Sequence, residues 1–127
     1  MTFETEQDLK REHKAITTFV NTFGGSFQKL GPQDIDYKVF DKEGKLIAYV
    51  EVKSRIRTMH DAYPLPISAK KLVKLMDKRL NPVIVWSCED GIIYGQVNRL
   101  TGEIKLDDSE LMVFYSKQKP LKYIRFV

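Results

Sequence analysis

Pro82-Val-Ile-Val-Trp-Ser-Cys88 is apolar at nearly every position. Successive side chains of a strand point to opposite faces, so a strand of this composition is apolar above and below. Such a strand is stable only in a sheet covered on both sides. This one run therefore demands a layered α/β or α+β domain, with a central mixed sheet flanked by helices. The covering helices can be found. Residues 5–23 place Leu9, Glu12, Ile16, Phe19 and Phe23 at i+3 and i+4 spacing, with Thr5 as N-cap and Gly24-Gly25 as the stop. Residues 69–80 follow a capping Ser68 and carry Leu72, Leu75, Met76 and Leu80.

Between these helices the chain alternates as strands do. SFQKL (26–30) and DIDYKVF (34–40) read as strands separated by GPQ. DKEG (41–44) is a hairpin turn with Gly44 at a left-handed position, and KLIAYVEVKSR (45–55) is the returning strand. Residues 56–66 read as a loop. After PVIVWSC, EDG turns the chain into IIYGQV, and EIKL, ELMVFY and KYIRFV read as further short strands. The predicted order is α-β-β-β-α-β-β plus C-terminal strands 103–127, in a single domain of 127 residues. The C-terminal strands either complete the sheet or supply an interface.

Composition narrows the function classes. No apolar run approaches the ~18 residues of a membrane span, and MTFETEQDLK has no apolar leader region. The single cysteine, Cys88, excludes an internal disulfide and reads as a buried structural thiol. Together these predict a cytoplasmic protein. His13 and His60 lack zinc-ligand spacing, and there is no P-loop or dinucleotide fingerprint. The net charge is +4, and the basic residues concentrate in one stretch. Lys53, Arg55, Arg57, Lys70, Lys71, Lys74, Lys78 and Arg79 face only Asp61 and Asp77 across residues 53–79. Such a stretch suits contacts to nucleic-acid phosphates.

The acidic residues carry the sharper signal. Asp/Glu-x-Lys recurs at Asp8/Lys10, Glu12/Lys14, Asp36/Lys38, Glu43/Lys45, Glu51/Lys53 and Glu103/Lys105, so the tripeptide alone means little. Only Glu51/Lys53 lies late in a strand whose other face, Leu46, Ala48, Val50 and Val52, is wholly apolar. The hairpin brings the end of the first strand, with Asp34 and Asp36, beside Glu51. Carboxylates that close repel unless a cation sits between them. Hard oxygen donors suit Mg²⁺ or Mn²⁺.

In order and motif, the stretch IDYKVFDKEGKLIAYVEVKSR resembles the PD-(D/E)XK nuclease superfamily, especially its small phage-type and Holliday-junction-resolvase-like members. The resemblance covers about residues 4–97. It implies a restriction-endonuclease-like core and divalent-metal-dependent hydrolysis of DNA. It implies that Asp36 and Glu51, with the Val52 carbonyl, bind the metal, that Lys53 is the catalytic motif lysine, and that Glu12 on the first helix joins the catalytic site as a further metal ligand. Asp34 and Glu6 are the alternatives to Asp36 and Glu12. The proline of the motif is not adjacent: Pro32 precedes Asp34 by two residues and Asp36 by four. Family members often reach the site with a residue of the second helix, here Lys70 or Lys71. Arg55, Arg57, Lys74 and Tyr63 are candidate DNA contacts. DNA is the implied partner, with cutting that is structure-directed or nonspecific. A homodimer or a larger replication or recombination assembly is compatible with it. The competing expectation is a catalytically silent nucleic-acid-binding module on the same fold.

Overall fold

A computed structural model describes residues 5–31, 34–77 and 80–127. Helix α1 spans Glu6–Phe23 and opens on a reciprocal cap, in which the Thr5 side chain accepts from the Asp8 N–H and the Asp8 carboxylate accepts from the Thr5 N–H. It ends at Gly24, whose φ of 71° suits a residue without a Cβ. The strands are β1 (Ser26–Lys29), β2 (Tyr37–Phe40), β3 (Leu46–Ser54), β4 (Leu65–Ser68), β5 (Pro82–Ser87), β6 (Gly91–Gln96), β7 (Gly102–Asp107), β8 (Glu110–Tyr115) and β9 (Lys122–Arg125). Helix α2, Ala69–Met76, lies between β4 and β5, and its Ser68 cap accepts from the Lys71 N–H.

The fold is α+β. A six-stranded sheet runs β1-β2-β3-β5-β6-β9, with β3 and β5 parallel and the other neighbours antiparallel. A three-stranded sheet runs β4-β8-β7. As expected from its composition, β5 is buried at every position. On one face Val83 and Val85 pack with Val50, Val52, Ala15, Ile16 and Phe19 under α1. On the other, Ile84 and Trp86 pack with Leu75 of α2 and with Leu65, Ile67, Val113 and Tyr115 of the small sheet.

The structure departs from the sequence expectation in three places. The strand predicted over 34–40 begins only at Tyr37. The predicted loop 56–66 contains the start of β4, which its pairing with β8 creates. Helix α2 ends at Met76 with Asp77 as C-cap, and of its predicted stripe only Leu75 is fully buried, while Met76 and Leu80 are exposed. The last strand pairs with β6 and completes the central sheet, one of the two alternatives the sequence left open. Pro32, Lys78 and Arg79 lie outside the described residues. Among the described residues no helix is long and apolar enough to cross a membrane.

Trp86 ties the two sheets together. It is fully buried, donates its indole N–H to the Pro66 carbonyl at 2.9 Å, and meets Tyr115 edge to face at 5.7 Å. Trp86→Ala is expected to cost about 3–5 kcal/mol, and Val73→Ala, on the exposed side of α2, less than about 0.5 kcal/mol. Urea denaturation of the two variants checks this, and equal losses would contradict the packing described.

Candidate functional site

Strand β3 outruns β2. The last paired residues are Tyr37 and Val50, and β3 continues to Ser54. Along this extension β5 covers one edge of β3, and the edge that faced β2 has lost its strand partner. The Asp36 side chain fills the gap: its Oδ2 accepts from the Val52 N–H at 2.8 Å. A side chain thus stands where a strand carbonyl would be, and this brings the Asp36 carboxylate to the level of Glu51. The N–H and C=O of one strand residue point to the same side, so the Val52 carbonyl faces Asp36 as well.

Glu51 is 5% exposed and is the one buried charged residue among the described residues. A buried carboxylate requires a partner. Its partner is Lys71, one turn into α2, whose Nζ lies 3.1 Å from Oε2. Of the two helix lysines predicted to reach the site, Lys71 does so, and Lys70 is exposed. The Lys71 side chain as a whole remains more than half open to solvent. Burial acts to lower its pKa, and the carboxylates of Glu51, Asp36 and Glu12 more than offset that, so it stays firmly cationic.

Asp36 is in the opposite position. Burial, then the charge of Glu51, push its carboxyl up to about 7; the Val52 N–H pulls it down, and Glu12 raises it further. Glu12 stands on the α1 side, largely buried, where its Oε2 accepts from Tyr37 Oη at 2.9 Å and pairs with Lys29 Nζ at 2.8 Å. That explains an acid on the apolar stripe of α1. Glu6 instead lies in the solvent, paired with Lys10 at 3.8 Å. Asp34 precedes β2 and accepts from the Ile35 N–H at 2.7 Å. A cleft of about 330 Å³ opens beside these groups, lined among others by Lys29, Asp34, Asp36, Glu51, Lys71 and Lys74.

The other predicted residues fall elsewhere. Lys53 shares the Glu51 face of β3, opposite Trp86 in register, and is half-buried with no ion pair among the described residues. It does not line the cleft. Arg55 braces the loop before β4, where its Nε donates to the Ala62 carbonyl at 2.9 Å and its Nη2 to that of Pro64 at 3.5 Å. Tyr63 shares a hydrogen bond with Tyr123 Oη at 2.7 Å, which ties that loop to β9. Arg57 is exposed. Sequence reasoning missed Lys29 and Tyr37. Tyr37 has the parity of Val39, facing α1, and that alternation is the signal that would have pointed its hydroxyl at Glu12.

The donor set can be weighed against a divalent cation. Among the described residues no group of three or more His, Cys, Asp or Glu is close enough to hold a metal ion. Mg²⁺ commonly takes one or two carboxylates, with water and substrate phosphate completing its shell. Asp36, Glu51 and the Val52 carbonyl meet that smaller requirement. An Asp36 carboxyl whose ionisation is opposed by a neighbouring anion is the arrangement a cation relieves. Comparison with family models, curated proteins and solved structures finds no match to the chain.

The raised pKa of Asp36 has a consequence for stability. Between the ordinary carboxyl value of 3.8 and about 7 the folded protein binds the proton that the unfolded chain has released. Its contribution to stability is therefore greatest below pH 4 and declines as pH rises towards 7. Asp36→Asn keeps an acceptor for the Val52 N–H and removes the charge. Urea midpoints from pH 4 to 8 are expected to fall less steeply in Asp36→Asn, which should be the more stable protein at pH 8. Parallel curves for the two proteins would refute the assigned shift.

Proposed function

We propose that this protein is a divalent-metal-dependent endonuclease that hydrolyses DNA phosphodiester bonds on a restriction-endonuclease-like core. The observation that carries the reading is the meeting of Asp36 and Glu51 at the unpaired end of β3, with Lys71 reaching in from α2. Asp36, Glu51 and the Val52 carbonyl would hold Mg²⁺ or Mn²⁺. Bound there, such an ion would polarise a phosphoryl oxygen and acidify a water molecule. Lys71 stays charged and accessible, so it holds the scissile phosphate against the carboxylates. Lys53, on the same face of β3, orients the attacking water or the phosphate. Lys29 and Lys74 flank the cleft and contact neighbouring phosphates. Water attacks phosphorus in line, the P–O3′ bond breaks, and the products carry a 3′-hydroxyl and a 5′-phosphate. A domain of 127 residues has few elements beyond the cleft with which to read a base sequence, which favours structure-directed or nonspecific cutting.

A second reading has its own observation. Glu51 is already neutralised by Lys71, as it would be in a silent nucleic-acid-binding module. Cleavage assays separate the two. Labelled single-stranded, duplex, flap and four-way-junction DNA are incubated with Mg²⁺, Mn²⁺ or EDTA, using wild type and Glu51→Ala. The nuclease reading predicts cutting of at least one substrate with metal and none with EDTA. Because groups merely supporting a metal site are worth about 10–100-fold, loss of Glu51 is expected to cost more than about 100-fold. Cutting at the wild-type rate by Glu51→Ala would end the proposal. Salt-dependent DNA binding without cutting would support the module.

A further inference from the structure

The sheet edges of this protein differ in how they meet a copy of themselves. The central sheet ends in β1 and β9, and the small sheet in β4 and β7. Strand β4 contains Pro66, which has no N–H to donate. Strand β9 carries Lys122 and Arg125, which an antiparallel copy centred on that strand would set against each other. Strand β1 is only four residues long. Strand β7 has six residues, all exposed. Its one face presents Ile104, 67% exposed, and Leu106, 73% exposed, beside Leu111 of β8 at 53%. Its other face presents Glu103 and Lys105, 3.8 Å apart.

Natural proteins guard an edge with charge, because a lone Lys repels its own copy. An alternating Glu-x-Lys does the reverse in one register. When the antiparallel pairing is centred on Ile104, that residue lies beside Ile104 of the second copy. Glu103 then lies opposite Lys105 of the second copy, and Lys105 opposite its Glu103. Leu106 falls beside Gly102, where no side chain opposes it. A shift of two residues sets Lys105 on Lys105, or Glu103 on Glu103. A slip of one residue turns the charged face of one copy onto the apolar face of the other.

We propose that β7 pairs antiparallel with β7 of a second copy, centred on Ile104, and joins the two three-stranded sheets about a two-fold axis. Ile104, Leu106 and Leu111 of both copies then line one continuous apolar floor. The pairing does not depend on the metal-site reading, and it would place two candidate sites in one assembly.

Sedimentation velocity of the full chain over a range of concentrations tests this. A concentration-dependent dimer is expected. E103K alone and K105E alone each place like charges opposite one another at two positions. Each should raise the dissociation constant roughly tenfold or more. The double variant E103K/K105E restores the pairing in the opposite sense and should return the constant to near the wild-type value. Circular dichroism checks that the variants stay folded, as these exposed positions predict. A wild-type protein that is monomeric at every concentration would overturn the proposal. So would a dimer indifferent to the single reversals, or a double variant weaker than either single one.

Discussion

The hydrogen bond from the Val52 N–H to Asp36 Oδ2 is the contact on which the rest of the site depends. Strand β3 must be long because it pairs with β5 along the middle of the sheet, from Tyr49 to Ser54. Strand β2 is short and stops opposite Val50. The mismatch leaves one edge of β3 unpaired at the point where Glu51 turns towards α2. An unmet backbone donor at a half-buried edge is costly, and the first acid before β2 meets it. Meeting it forces two carboxylates into one place.

That proximity is unfavourable by itself, and the surrounding groups are arranged to manage it. Lys71 neutralises Glu51, and Lys29 with Tyr37 holds Glu12. Asp36 is left with a backbone N–H as its hydrogen-bond donor, and its carboxyl is the one that titrates late. Ionisable groups pushed far from their ordinary values in a cleft are candidates for function. Here the cause is specific: burial and a neighbouring anion, with the Lys71 ammonium paired to that neighbour.

Much of this was legible in the residues. The all-apolar run of β5 requires a covered sheet, and two helix stripes supply the cover. Glu12 among Leu9 and Ile16 marked an acid that had to find a polar partner. The hairpin turn at 41–44 brought the acids before β2 beside Glu51, and the bond from the Val52 N–H singles out Asp36 from Asp34. What was not legible came from long-range contacts. Strand β4, in the Pro-rich YPLPIS, owes its form to pairing with β8 far along the chain. Parity placed Lys53 on the Glu51 face correctly, but only the seating of α2 decides that Lys71, rather than Lys53 or Lys70, reaches Glu51. Arg55 and Tyr63 looked like free contacts because the loop they anchor has no periodicity that announces its folded path.

Calorimetric titration with Mn²⁺ interrogates the carboxylate pair itself, without presuming a substrate. One binding event is expected in wild type at neutral pH, weakened as Asp36 takes up its proton at lower pH, and lost in both Asp36→Asn and Glu51→Gln. Mn²⁺ binding that persists unchanged in those variants, or no binding by wild type at millimolar metal, would contradict a metal site built on Asp36 and Glu51.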